Sequence, residues 1–226
     1  MLHKVLPWVH CFFSFILTIS KNILKSFNFF LFADDTNILY ADNNLKSLED
    51  IVNLELRKLC DWLTANKLTL NIKKTNFVIF CPAQRKLTFQ PNITIFDNDK
   101  NKYVSLERKE SVKYLGIFID QNLTWKHHID HVAFKISRYV GLLSKLRHHV
   151  PTHTLITIYR SLISPHLTYG LLAWGQACKS HLEKLLKLQK RALRFLCFSD
   201  FKQHAVPLFS QAVVLSFKFF LRSQLI

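Results

Sequence analysis

Apolar and polar positions divide the chain into an early part with strand spacing and a late part with helix spacing. From Asn28 to Tyr40 a strand, a turn and a second strand are predicted, and the turn carries two adjacent carboxylates, Asp34 and Asp35. Polar residues 42–44 then supply helix caps. The apolar positions that follow recur every three or four residues and predict one amphipathic helix. They are Leu45, Leu48, Val52, Leu56, Leu59 and Leu63.

Strand-like spacing returns after this helix. A β-rich stretch runs from Leu68 to Phe80, and Pro82 ends it. Residues 85–109 are polar with short apolar islands, which predicts short edge strands and loops. A further β-run from Val112 to Ile119 contains the tripeptide Tyr-Leu-Gly.

The rest of the chain has helical spacing. One long helix is predicted up to Leu146, Pro151 suits the first turn of the next helix, and Lys179 to Phe198 has the clearest amphipathic pattern. Its inward positions would be Leu182, Leu185, Leu186, Leu193 and Leu196. The elements predict an α+β fold in three parts. These are a degenerate apolar segment 1–26, a region 27–120 of hairpin, helix and short antiparallel strands, and a helical region 121–226.

Composition narrows the class of partner. The 226 residues are 49% hydrophobic, enough for a packed core, and 31 Lys and Arg against 15 Asp and Glu give a net charge of +16. Such a charge attracts polyanions, either nucleic acid or an anionic membrane surface.

Five scattered cysteines without a Cys-x-x-Cys pair favour a reducing, intracellular compartment, cytoplasm or nucleus. His127 and His131 have helical zinc-ligand spacing, but no cysteine pair accompanies them, so we discount a zinc site.

An apolar run from Val5 to Ile19 leaves a membrane alternative open. It follows Lys4 and could serve as a signal sequence or an anchor. The run is short for a bilayer span and contains Pro7 and His10, so we expect neither a signal peptide nor membrane association. A small basic membrane-associated protein is the alternative that this run supports.

The paired carboxylates are the candidate chemistry. An apolar strand, two acids at a tight turn and a second strand can present hard oxygen ligands to Mg²⁺. Two such ions can clamp the attacking hydroxyl and the leaving pyrophosphate of nucleotidyl transfer. The alternative is a polar hairpin tip, where Asp is common for reasons of turn geometry alone. Asp34 and Asp35 by themselves do not decide between the two.

Neighbouring motifs favour the first interpretation. Phe-Ala-Asp-Asp-Thr at 32–36 is followed by Trp-x-x-x-Asn-Lys-Leu-x-Leu-Asn-x-x-Lys-Thr at 62–75 and by Tyr-Leu-Gly-x-x-x-Asp at 114–120. Together these resemble the late palm of reverse transcriptases from jockey-like and related non-LTR (LINE) retrotransposons. Tyr-x-Ser-x-x-x-Pro-x-x-x-Tyr-Gly at 159–170 and Leu-Gln-Lys-Arg-Ala at 188–192 are similar to the thumb and post-thumb region of those proteins.

The resemblance implies an RNA-directed DNA polymerase with a partial palm and a helical thumb. It implies Mg²⁺ bound by Asp34, with Asp35 as a less direct ligand, and deoxynucleotide triphosphates added to a DNA primer on an RNA template. Lys74, or Lys73 beside it, would lie near the incoming nucleotide as a proton donor to pyrophosphate. The nucleic-acid-binding primer grip would contain Tyr114, Leu115 and Gly116.

A cationic face on the Lys179–Phe198 helix is a second candidate for nucleic-acid binding. Its residues follow one another at steps of three, four and three, so they share one side of the helix. They are Lys184, Lys187, Arg191 and Arg194. This face would follow the phosphate backbone of a template–primer duplex. The alternative is a solubilising surface.

Two features of such enzymes are missing from the sequence. These are an earlier strand with a further metal-binding Asp, and a Gly-x-Pro-Gln-Gly-Ser loop that shapes the nucleotide pocket. Residues 11–21 resemble a degraded tail after that loop. We therefore expect a truncated enzyme that is inactive in isolation, because one strand of metal ligands is absent. The alternative is a non-catalytic, basic nucleic-acid-binding remnant of the same descent.

Overall fold

The computed structural model describes residues 27–32, 35–68, 70–82, 84, 89–97, 100–200, 203–204, 206–212, 216–217, 219 and 221. The apolar segment 1–26, with the run from Val5 to Ile19, lies outside these residues. Among the helices that are described, none combines the length and the apolar composition that crossing a bilayer requires.

The chain divides into two compact units. The first comprises Met1–Ile79 and Ala83–Lys109, and the second comprises Phe80–Pro82 and Glu110–Ile226. The domain boundary expected from the change of pattern lies at 120/121, eleven residues later than the main division between the units at 109/110. The three-part domain assignment stays a prediction.

The first unit begins with a hairpin and a long helix. Strands β1 (Asn28–Phe32) and β2 (Asp35–Leu39) pair antiparallel, in agreement with the predicted strand, turn and second strand. Helix α1 (Leu45–Ala65) begins after Asn44, whose side-chain oxygen accepts the backbone N–H of Lys46 at 2.9 Å. The predicted amphipathic helix is therefore confirmed, with the cap in the polar stretch before it.

Short strands pack against this helix. Strand β3 (Asn76–Phe77) pairs parallel with β6 (Glu107–Arg108), and β4 (Thr94–Asp97) pairs antiparallel with β5 (Lys102–Ser105). The small core between helix and strands consists of Leu56, Cys60, Ile93, Ile95 and Leu106. Asn53 joins the two layers, because its side-chain oxygen accepts the N–H of Thr94 at 2.8 Å and its amide donates to the carbonyl of Asn92 at 3.0 Å.

The second unit combines a hairpin with a set of helices. Strands β7 (Ser111–Tyr114) and β8 (Ile117–Asp120) pair antiparallel. The helices that follow are α2 (Lys126–Leu146), α3 (Thr152–Leu162), α4 (Ser164–Thr168), α5 (Leu171–Trp174), α6 (Lys179–Leu196) and α7 (Val206–Gln211). The predicted α+β class, with short hairpins followed by a helical region, is confirmed.

Helices α2 and α6 form the core of the second unit. The inward positions predicted for α6 are all buried, and they pack against a row of buried side chains on α2. That row is Ile129, Val132, Ile136, Val140 and Leu143. Pro151 occupies the N-cap of α3, one position before the first turn. The fully buried Trp174 of α5 joins the same core.

One amide side chain is buried in this apolar core. Gln189 on α6 is 1% exposed, and its amide donates to the hydroxyl of Tyr159 on α3 at 2.9 Å. Its side-chain oxygen accepts the backbone N–H of Phe217 at 2.8 Å. Burial raises the pKa of Tyr159 from a value that is already well above 7, so its hydroxyl is protonated at neutral pH. Gln189 thus connects α3, α6 and the chain near residue 217.

Replacing Gln189 by methionine is expected to lower the free energy of unfolding by about 1–3 kcal/mol, because it leaves buried polar partners unsatisfied. Tyr159→Phe is the matched control, since it removes a single hydroxyl and should cost about 0.5–1.5 kcal/mol. Urea unfolding of the two variants measures both values. A neutral or stabilising Gln189→Met would contradict a stabilising role for the amide.

Candidate nucleic-acid interface

The acidic turn lies between β1 and β2. Asp35 is the first residue of β2 and pairs with Phe32, and both side chains are exposed. Phe30 lies on the same face as Phe32, because alternate residues of a strand point the same way; its side chain is also exposed. Asp34 lies outside the described residues. The carboxylate of Asp35 is therefore accessible beside an apolar hairpin face.

Asp35 supplies a suitable ligand type for magnesium, since Mg²⁺ prefers carboxylate oxygens. Within the part of the chain that the structure describes, no three His, Cys, Asp or Glu side chains come together as a metal site. The described residues therefore match the chemistry of one ligand and do not complete a site.

Lys74, which the resemblance places near the incoming nucleotide, lies in a turn whose hydrogen bonds are accepted by Asn71. The backbone carbonyl of Asn71 accepts the N–H groups of Lys74 and Thr75, both at 3.1 Å, and also the hydroxyl of Thr75 at 2.9 Å. Of the β-stretch expected from Leu68 to Phe80, the described residues form this turn, the two-residue strand β3 and otherwise irregular chain. Lys73 and Lys74 are exposed, and the role of Lys74 stays a prediction.

The first part of the 62–75 motif, Trp-x-x-x-Asn-Lys, lies at the end of helix α1. The side-chain amide of Asn66 donates to the carbonyl of Trp62 at 2.8 Å, and Lys67 has a left-handed backbone with φ of 57°. A residue in this conformation is a common end to a helix. The Trp-x-x-x-Asn-Lys spacing is therefore explained by helix termination.

The Tyr-Leu-Gly tripeptide forms the turn between β7 and β8. Tyr114 pairs with Ile117, and the two residues between them have φ values of 45° for Leu115 and 83° for Gly116. Two positive φ angles are the pattern of a type I′ turn, which matches the twist of a hairpin. Gly116 is exposed at the tip, and Tyr114 and Leu115 are half-buried.

The Tyr-Gly step between α4 and α5 holds this turn in place. The hydroxyl of Tyr169 donates to the backbone carbonyl of Leu115 at 2.7 Å. Gly170 has a φ of 64°, and a Cβ there would lie 2.3 Å from Cδ1 of Ile117. The Tyr-Leu-Gly motif and the Tyr-Gly motif are thus in direct contact. Their sequence separation gave no signal of this contact, so the positioning role of Tyr169 was not predicted.

Asp120 organises the loop that leads into α2. Its carboxylate accepts the backbone N–H and the hydroxyl of Thr124 at 2.8 and 2.9 Å, and the N–H of Trp125 at 2.8 Å. Leu123 and Trp125 both have positive φ, so these bonds stabilise a strained loop. Partial burial alone would raise the pKa of Asp120, but the hydrogen bonds outweigh it and lower that pKa.

The histidines of α2 pack around Phe118 of β8. The rings of His127 and His131 meet the Phe118 ring edge-on, at centroid distances of 4.6 and 4.8 Å. His128 is buried, and its Nδ1 accepts the backbone N–H of Phe118 at 3.3 Å. Burial first, and then the charges of His131, His127 and Lys135, lower the pKa of His128 to about 4. It is therefore a neutral core residue near pH 7.

The cationic face of α6 is only partly free. Lys184 forms an ion pair with Asp130 of α2 at 2.7 Å, and a guanidinium nitrogen of Arg194 donates to the carbonyl of Gln203 at 3.3 Å. Lys187 and Arg191 are exposed, and neither forms an ion pair with any residue that the structure describes. These two are the cations of the predicted set that are most available to a phosphate.

Comparison with known proteins supports the motif assignment. The chain is 25% identical over 169 residues to a probable RNA-directed DNA polymerase from the transposon X-element of Drosophila melanogaster, covering 73% of this chain and 18% of that protein. It is 29% identical over 167 residues to an RNA-directed DNA polymerase from the mobile element jockey of the same species, covering 72% and 17%. The jockey polymerase of Drosophila funebris is 25% identical over 166 residues, covering 72% and 17%. The predicted resemblance to reverse transcriptases of non-LTR retrotransposons is therefore confirmed.

The similarity covers only a small part of each relative. The chain spans less than a fifth of the length of the curated relatives that it matches. No protein-family model matches the chain, and no solved structure matches it.

Gly170→Ala is expected to destabilise the second unit by about 2 kcal/mol, because the new methyl group would overlap Ile117 and the backbone is left-handed. Gly141→Ala is the matched control. Gly141 lies inside α2 with open space around it, so alanine should stabilise the helix by about 0.5–1 kcal/mol. Thermal and urea unfolding measure both changes. Equal effects of the two substitutions would contradict the close contact at Gly170.

Asp120→Asn is expected to lower the free energy of unfolding by about 1–2 kcal/mol near neutral pH. The folded-state pKa of Asp120 lies below the unfolded-state pKa, so the stabilisation is fully present above the unfolded-state pKa and is lost as the pH falls through the folded-state pKa. The difference between wild type and variant should therefore shrink in acid. Urea unfolding across a pH series tests this, with the exposed Asp61→Asn as control. A difference that is independent of pH would rule out the charged carboxylate as the cause.

Proposed function

We propose that this chain forms the late palm and the thumb of a reverse transcriptase of the non-LTR retrotransposon type, and that it binds a DNA primer on an RNA template inside the cell. The observation that carries the proposal is the Tyr114–Gly116 turn, which the Tyr169–Gly170 step holds with its tip exposed. The similarity to retrotransposon polymerases covers 72–73% of the chain.

In this proposal each motif has one task. Asp34 and Asp35 contribute carboxylate ligands to Mg²⁺ beside the incoming deoxynucleotide triphosphate. Lys74 donates a proton to the pyrophosphate that leaves. The turn of residues 114–116 supports the primer end. Phosphates of the template–primer contact the α6 face, which consists of Lys184, Lys187, Arg191 and Arg194.

We further propose that the 226-residue chain does not polymerise on its own. Two-metal catalysis needs carboxylates that hold both ions at once. The 226 residues contain the Asp34–Asp35 pair but no Gly-x-Pro-Gln-Gly-Ser loop. The remaining ligands and the nucleotide pocket would be supplied by residues outside these 226 positions.

A non-catalytic nucleic-acid-binding protein is the second candidate. Lys187 and Arg191 favour it, because their exposed charges have no ion-pair partner among the described residues and add to a net charge of +16. Both candidates bind nucleic acid, and they differ only in whether Asp34 and Asp35 have a chemical role.

Primer extension on an RNA template separates the two candidates. The chain alone, with Mg²⁺ and deoxynucleotide triphosphates, is expected to give no template-directed incorporation, and Asp34→Asn is expected to give the same result. Incorporation that Asp34→Asn abolishes would contradict the proposed inactivity and would establish a polymerase. Addition of a second polypeptide that carries the further metal-binding strand and the Gly-x-Pro-Gln-Gly-Ser loop should restore synthesis only to the chain with intact Asp34.

Salt dependence tests the binding that both candidates share. The affinity for an RNA–DNA duplex should fall linearly on a log–log plot between about 50 and about 200 mM salt, because bound phosphates release counterions. Lys187→Gln should reduce the slope by about one, the contribution of one phosphate contact. Lys58→Gln is the matched control, since it removes the same charge from an ion-paired lysine of α1. A slope near zero for the wild-type chain would contradict the proposed function.

A further inference from the structure

Arginine and phenylalanine side chains form a stacked cluster where α2 and α6 end. The guanidinium carbon of Arg147 lies 5.7 Å from the ring centre of Phe195 and 5.1 Å from that of Phe198. The guanidinium carbon of Arg191 lies 5.9 Å from the same Phe195 ring. We call these four residues the arginine–phenylalanine cluster. Phe195 is buried and anchors it, whereas Phe198 is 48% exposed.

Phe198 occupies a backbone position that normally suits glycine. Its φ is 52°, and it directly follows the C-cap of α6. The N–H of Ser199 donates to the carbonyl of Arg194 at 3.0 Å. This is the 6→1 hydrogen bond that defines a Schellman motif at the end of a helix. A side chain with a Cβ is disfavoured in this conformation. Helix termination therefore accounts for the backbone but not for a large, half-exposed aromatic ring.

The arginines of the cluster have no carboxylate partner within the part of the chain that the structure describes. Neither Arg147 nor Arg191 forms an ion pair with a carboxylate of the described residues, and the buried Nε atom of Arg147 has no hydrogen-bond partner among them. Lys187 and Arg194 on α6 add positive charge nearby along the same helix. A guanidinium presents a planar fork of donors that matches the oxygens of a phosphate. The ligand that fits is therefore anionic and has a flat apolar surface.

We propose that Arg147, Arg191 and Phe198 bind a single-stranded segment of nucleic acid. One unpaired base stacks on the exposed ring of Phe198, and the adjoining phosphates contact the two guanidinium groups. A duplex has its bases stacked internally, so it offers the phosphates but no free base face to Phe198. The inference rests on the proposed function in one respect, that the second unit binds nucleic acid.

Fluorescence anisotropy with the full 226-residue chain tests the proposal. The probes are a single-stranded RNA, a single-stranded DNA and an RNA–DNA duplex of equal length. Phe198→Gly should weaken binding of a single strand about tenfold, within the range of one lost base–aromatic stack, and should leave duplex binding unchanged. Phe198→Tyr should bind as the wild type does, because the ring is retained. Equal effects on the RNA and DNA strands are expected, because a phenylalanine ring stacks on a base and has no group that hydrogen-bonds a 2′-hydroxyl.

Phe198→Gly also separates binding from folding. Glycine is favoured at positive φ, so the midpoint of thermal unfolding should stay equal or rise while single-strand affinity falls. Should the midpoint drop instead, Arg147→Lys gives the same test, since it keeps the charge and removes the planar fork. Phe134→Ala is the matched control, because Phe134 is 63% exposed and lies 6.0 Å from the guanidinium carbon of Arg138 outside the cluster.

Two results overturn the proposal and leave the proposed function intact. One is an unchanged single-strand affinity in Phe198→Gly with normal duplex binding. The other is an equal loss in Phe134→Ala, which would show that any exposed phenylalanine beside an arginine has the same effect. Failure of the wild-type chain to bind either the single strands or the duplex would instead overturn the proposed function itself.

Discussion

The contact between the Tyr-Leu-Gly turn and the Tyr-Gly step is the constraint on which the second unit depends. A single hydroxyl of Tyr169 fixes the carbonyl of Leu115 across 54 positions of sequence. Gly170 lets Ile117 approach to a distance that no Cβ would allow. Since β8 leads through the Asp120 loop into α2, this contact sets where the hairpin lies on the helices. The exposed tip at Gly116 is the consequence that matters for nucleic-acid binding.

Polar side chains in the core of this unit differ from those on its surface. In the core, Gln189 bonds to Tyr159, and His128 is uncharged because burial lowers its pKa to about 4. Outside, cations such as Lys187 and Arg191 have no ion-pair partner in the described part of the chain. Desolvating a charge is costly, whereas an exposed charge is free to meet phosphate. The excess positive charge therefore lies on the surface, and the apolar core holds the helices together.

Patterns that depend on local spacing predicted the fold well, and features that depend on distant partners were missed. The five leucines of α6 that were predicted to face inward are buried, as their three-to-four spacing predicts. The stretch from Leu68 to Phe80 reads as strand by composition, yet Asn71 bonds to its own neighbours and makes a turn. The contact of Tyr169 and the left-handed backbone of Phe198 depend on tertiary packing and on helix termination, which spacing alone does not reveal. Of the acidic pair, only Asp35 lies within the described residues.

Photo-cross-linking from the primer end would show which residues of the chain lie beside the reacting end of the primer. A DNA primer with a photoreactive 3′ nucleotide, annealed to an RNA template, would be irradiated with the 226-residue chain and the attached peptide identified by mass spectrometry. We expect attachment at Tyr114–Gly116, and we expect unlabelled duplex to compete with it. Attachment only at residues far from this turn and from Asp35, or labelling that the duplex does not compete, would contradict a reverse-transcriptase-like interface.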